Sequence, residues 1–108
     1  MTGQVIPDSE EQALIVKINL NNDDPGAVRR VLDIEDEVIT VFEASQAGEF
    51  DGNEIGGGSF TLFMYGRSAD LLFETMLPVL MKIAEPGSYA IKRYGKSGAR
   101  EERVMLAR

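Results

Sequence analysis

The chain predicts an α+β fold: a ferredoxin-like two-layer sandwich with an extra C-terminal edge strand. Three observations carry that prediction. The segments alternate as β-α-β-β-α-β-β, the two helical stretches are long enough to cover one sheet face, and 108 residues suffice for one core. In such a fold the four core strands lie in the order 4-1-3-2, all antiparallel, with both helices on one side.

The first element is ALIVKINL at 13–20. Leu14, Val16, Ile18 and Leu20 alternate there with Ala13, Ile15, Lys17 and Asn19, the period-two pattern of a strand buried mainly on one face. NNDDPG then supplies a helix start: Asp24 has a side chain suited to capping free N–H groups, and Pro25 suits the first helical position, where its missing donor costs nothing. The helix is expected to run to about Gly48, a left-handed stop, with Val28, Val31, Leu32, Val38, Ile39 and Phe42 as its apolar stripe. Such a helix would measure about 33 Å against about 26 Å for an eight-residue strand, so it overhangs the sheet or frays at its ends.

Two strands follow, at roughly 49–55 and 59–65, around the glycines of FDGNEIGGGSF. Phe50 and Ile55 are five apart, so a regular strand would point them to opposite faces, whereas a bulge near Gly52 would bring both inward. Ser68 is placed to cap a second helix, on which Leu72, Met76, Leu80 and Ile83 share one face. Pro78 inside it removes the hydrogen bond to Glu74 and implies a bend, and EPG at 85–87 ends it. SYAIKRY at 88–94 forms a fourth strand that turns through GKSGA into a fifth, over about 100–107. Residues 1–12 read as a flexible tail and 13–108 as a single domain.

Composition narrows the chemistry. The chain has no cysteine and no histidine, which removes disulfides, thiolate metal sites, histidine-based triads and the usual zinc sites. The net charge is −7, but residues 1–60 hold 13 acids against 3 bases while residues 61–108 hold 5 acids against 8 bases. An acidic total disfavours nucleic acid, whose phosphates need an attractive field. No apolar run approaches membrane-spanning length, and MTGQVIPDSEEQ lacks the basic-then-apolar pattern of a secretory signal, so a cytoplasmic location is expected.

Four features invite a functional reading. The glycines at 56–58 lead into a strand rather than a helix and no Lys-Ser/Thr follows, so they do not make a phosphate loop. A calcium loop starting at Asp51 fits Asn53 and Gly56 but fails at Ile55 and Leu62; a tight hairpin with glycines at positive φ is the simpler account, and no metal or cofactor is expected. The acidic residues Asp33, Glu35, Asp36, Glu37 and Glu43 on the first helix read as a solvated face, or as one that steers a basic partner.

YGRS at 65–68 recurs as YGKS at 94–97, and the proposed topology sends both from the same end of the sheet. Arg67, Ser68, Lys96 and Ser97 there flank the start of the second helix and are candidate ligands for a small carboxylate or phosphate. Strand parity sends Ile15, Lys17, Phe63, Tyr65, Ala90, Lys92 and Tyr94 to the sheet face away from the helices, where an exposed apolar patch marks an interface. The paired carboxylates Asp51 and Glu54 sit in a solvated hairpin with nothing to separate their pKa values, which argues against acid–base catalysis.

The run GEFDGNEIGGGSFTLFMYG at 48–66, followed by ADLLFETMLPVL at 69–80, resembles a group of small uncharacterised bacterial proteins. The resemblance covers about 20–108 and implies a stand-alone α+β domain; it implies no activity and no catalytic residue. The expectation is a non-enzymatic binding domain that dimerises, or holds another protein, through the open sheet face around Phe63, Tyr65 and Tyr94. An immunity or antitoxin role would suit an acidic domain of this size by analogy. The alternative is a regulatory domain that holds an anionic metabolite at Arg67 and Lys96.

Overall fold

The computed structural model describes residues 11–20, 26–83, 87–96 and 98–106. The elements are β1 (Gln12–Asn19), α1 (Ala27–Ser45), β2 (Gly48–Gly56), β3 (Ser59–Gly66), α2 (Ala69–Ile83), β4 (Tyr89–Arg93) and β5 (Glu101–Met105). They form an α+β arrangement of two helices and one five-stranded antiparallel sheet, in the order β2-β3-β1-β4-β5. In this sheet β1 lies between β3 and β4, β2 lies outside β3, and β5 extends the sheet beyond β4.

One face of the sheet carries the core. Leu14, Val16 and Ile18 of β1 lie opposite Met64, Leu62 and Phe60 of β3, and all six are buried. Ile34, Val38 and Phe42 of α1 and Leu72, Met76, Val79 and Leu80 of α2 close over them, so both helices sit on the same face. A period-two row on each strand meets a 3.6-period stripe on each helix, which among the described residues leaves the other sheet face uncovered.

The first helix is shorter than expected. It begins at Ala27, with Gly26 at the N-cap position, and ends at Gln46, whose φ of 59° and N–H bond to the Phe42 carbonyl make it the left-handed cap. Gly48 is the first residue of β2 instead of the stop. At 19 residues α1 measures about 28 Å, close to the span of an eight-residue strand, so the overhang disappears. Asp24, Pro25, Glu85, Pro86, Ser97 and residues 1–10 lie outside the described residues, as do the side chains of Val28, Val31 and Ile83.

The hairpin between β2 and β3 is a two-residue turn. Gly57 and Gly58 have φ of 59° and 80°, the doubly positive pattern that matches the twist of the flanking strands. Gly58 also accepts the Leu20 N–H at 2.8 Å, which fastens the hairpin tip to the end of β1. The register of β2 on β3 slips between Phe50 and Gly52, so the expected bulge is present. It puts Phe50 and Ile55 on the helix-side face, but only Phe50 packs on the core, while Ile55 stays 56% exposed near the turn, beyond the cover of α1.

Strand β4 corrects the parity assigned to it. Ala90 pairs with Val16 and Lys92 with Leu14, so Ala90, Lys92 and, by continuation, Tyr94 face the helices. Ala90 is wholly buried in the core. The outward residues are Tyr89, Ile91 and Arg93. A slip of one residue inverts a strand, and SYAIKRY has apolar side chains in both parities, so its sequence does not choose between them.

Candidate functional site

At the end of the sheet from which YGRS and YGKS depart, the N-terminus of α2 is already furnished. Ser68 Oγ accepts the Leu71 N–H at 3.1 Å, as a capping serine does, and Gln12 Oε1 accepts the Ala69 N–H at 2.7 Å. The negative charge that favours a helix start comes from Asp70 in the first turn. Asp70 Oδ1 accepts hydrogen bonds from the Tyr94 hydroxyl at 2.8 Å and Lys92 Nζ at 3.1 Å.

Lys92 is held on three sides. Its ammonium bridges Asp70 and Glu102, each at 3.1 Å, and stands 5.1 Å from the centre of the Phe73 ring, with its side chain only 14% exposed. Those two carboxylates raise its pKa well above the ordinary lysine value, while the Tyr94 hydroxyl and the Lys92 ammonium lower that of Asp70. The Asp70 carboxylate in turn raises the pKa of Tyr94, because an ionised phenol beside it loses a hydrogen bond. Arg100 stacks on Tyr94 at 4.3 Å, which extends the cluster to the turn before β5.

The start of α2, where an anion was expected, is thus met by the chain's own Ser68, Gln12 and Asp70, and of the candidate ligands only Ser68 is bonded there among the described residues. Arg67 is exposed and lines a shallow hollow with Glu11, Glu49, Asp51 and Tyr65, away from the Asp70 cluster. Lys96 is exposed in the turn, where its carbonyl accepts the Ala99 N–H at 2.8 Å. The side chains of the β2 hairpin diverge as well: the Asn53 amide bonds Glu35 on α1, while Asp51 turns to the opposite side with Glu49. Among the described residues no three carboxylates converge to hold a metal, and no helix is long and apolar enough to cross a membrane.

The uncovered sheet face is the third region. The strand registers arrange it in rows that cross the sheet. The central row runs Phe63, Ile15, Ile91, Arg103 from β3 to β5; the next runs Glu49, Tyr65, Ala13, Arg93, Glu101 from β2; the third runs Glu54, Thr61, Lys17, Tyr89, Met105. Phe63, Ile15, Ile91, Tyr65 and Tyr89 are half-buried by their neighbours, and Arg103 lies 4.0 Å from the centre of the Tyr89 ring. Of the residues first assigned to this face, Ile15, Lys17, Phe63 and Tyr65 are on it, and Ala90, Lys92 and Tyr94 are not. Ile91, Tyr89 and Arg103 take their places, and the pairing of β4 with β1 is the only signal that selects them. Comparison with family models, curated proteins and solved structures finds no match to this chain.

Proposed function

We propose that this chain is a small non-enzymatic binding domain that pairs with a second copy of itself through the uncovered face of a ferredoxin-like sandwich, with β5 added at the edge. The observation that carries the reading is the contiguous apolar row Phe63–Ile15–Ile91, which spans β3, β1 and β4 on the side opposite α1 and α2. Tyr65 and Tyr89 flank it, and half-buried aromatic groups with a polar tip are what protein interfaces favour.

Sheets that pack face to face keep their strands within about 30° of each other and interdigitate side chains about 10 Å apart. Five strands about 4.8 Å apart and roughly 20 Å long present a footprint on the order of 500 Å². Two such faces, roughened by side chains, fall near the lower end of specific interfaces, so the dimer is concentration-dependent. The alternative, an anion at Arg67 and Lys96, draws no support from a helix start whose donors meet Ser68 and Gln12 and whose charge partner is Asp70.

Sedimentation equilibrium of the parent chain and of Phe63→Lys tests the reading. A parent that dimerises and a folded variant that stays monomeric support it. A parent that remains monomeric at millimolar concentration, or a variant that dimerises as well as the parent, overturns it.

A further inference from the structure

We propose that the outer edge of β2 takes up an extended segment of another polypeptide in which lysine or arginine alternates with apolar residues. Strand β2 has nine residues and pairs on one side only, with β3. Among the described residues nothing is paired beyond it, so its outward N–H and C=O groups form a template for strand addition.

The two faces of this edge differ in chemistry, and the difference defines the occupant. On the helix side β2 carries Phe50, Asn53 and Ile55, with the Asn53 amide bonded to Glu35 of α1; Ile55 of β2 and Leu32 and Ile39 of α1 are 56%, 51% and 38% exposed. Phe50, Ile39 and Phe42 also line a hollow between helix and strand, together with Gly48, Glu43 and Glu49. On the other side stand Glu49, Asp51 and Glu54, all exposed. Side chains of an added strand alternate between these environments, so one set meets the more apolar side, with Phe50 and Ile55, and the other meets the row of carboxylates.

A second copy of β2 does not fit. Antiparallel self-pairing would bring the acidic row against its own counterpart, and like charges directly opposite each other are destabilising. The bulge at Phe50–Gly52 and the carboxylates thus discourage self-addition and leave the edge open to a cationic strand, which the net charge of −7 would steer inward.

The test is an amide NMR titration of the full chain with a short synthetic peptide that alternates lysine and valine, against one that alternates glutamate and valine. The expected result is saturable shifts along 48–56 and at Leu32 and Ile39 with the lysine peptide alone, with slowed hydrogen exchange in β2. Glu49→Lys with Glu54→Lys is expected to weaken binding by about tenfold or more, through two lost cross-strand charge pairs and two new repulsive ones. Ile55→Ser probes the apolar side in the same assay without a change of charge. Outer β2 amides already protected before peptide is added would show the edge occupied and overturn the proposal, as would shifts that bypass β2 or variants that bind like the parent. Phe63→Lys is expected to bind the peptide unchanged, which separates this edge from the dimer face.

Discussion

Asp70 does more for the fold than its exposed position suggests. Its carboxylate serves the start of α2, the Tyr94 hydroxyl and the Lys92 ammonium, and so ties helix, β4 and the following turn together. Because folding lowers its pKa, its contribution is fully present above the ordinary aspartate value of 3.8 and is lost as pH falls through the lower folded value. Tyr94 and Lys92 have raised values, so their share is full at neutral pH and is lost only in alkali, above the ordinary 10.0 and 10.5. Asp70→Asn is therefore expected to lower the urea midpoint at about pH 7 and to approach the parent in acid as the carboxyl becomes protonated in the folded chain as well, which paired denaturation curves would show. A gap that persists in acid would assign the effect to packing instead of charge. The pairing was hidden in the sequence because Asp70 and Tyr94 are 24 positions apart, and the wrong parity for β4 turned Lys92 and Tyr94 away from the helix that holds them.

At the level of elements, two glycines read as punctuation prove to be contact points. Gly48 and Gly66 lie opposite each other at the ends of β2 and β3. A Cβ on Gly66 would meet the Ala47 carbonyl at 2.5 Å and Leu72 Cδ2 at 3.2 Å, and one on Gly48 would strike the Tyr65 carbonyl and Leu72. Gly66→Ala is expected to cost about 1–3 kcal/mol, the usual penalty for overpacking. At Gly56 φ is not positive and an added Cβ would meet nothing within 4 Å, so Gly56→Ala is expected to be neutral or to stabilise by about 0.4–1 kcal/mol. Thermal midpoints of the two variants would check both, and equal midpoints would refute the contrast. The alternation of β1, the Ser68 cap, the glycine turn and the bulge were all legible, since each is a local pattern with a local cause. The stop of α1 was not, because Gln46 adopts the left-handed conformation that glycine adopts at lower cost, and Gly48 stands two residues on. Nor was the tie at Ser88, which is buried, accepts the Asn19 N–H at 2.9 Å through its hydroxyl and the Leu106 N–H at 3.0 Å through its carbonyl; only the folded sheet brings those residues together.

Across the whole molecule, the charge asymmetry visible along the chain becomes an asymmetry across the uncovered face. Glu49, Asp51 and Glu54 edge it at β2, while Lys17, Arg93 and Arg103 stand on β1, β4 and β5, with Glu101 beside Arg93. Two copies can meet face to face about a two-fold axis that lies along the strands or across them. An axis across the strands sets β2 over β2 and acid over acid; an axis along them sets β2 of one copy over the β4–β5 side of the other, where the charges are complementary. The second geometry makes a specific demand on exposed residues alone. Reversing Arg103 of β5 to glutamate places acid against the acids of β2 and is expected to weaken the dimer at low salt, with less effect at about 1 M salt, where charges are screened within about 3 Å. Adding Glu49→Lys and Glu54→Lys to the same chain sets opposite charges against each other again at the β2–β5 contact, and the dimer is expected to return. Under the other geometry like charges face each other in the parent, in the half-reversed chain and in the fully reversed chain alike, so all three would associate equally. Sedimentation of the three chains at two salt concentrations distinguishes the arrangements, and equal association throughout would rule out the axis along the strands without touching the case for the apolar row.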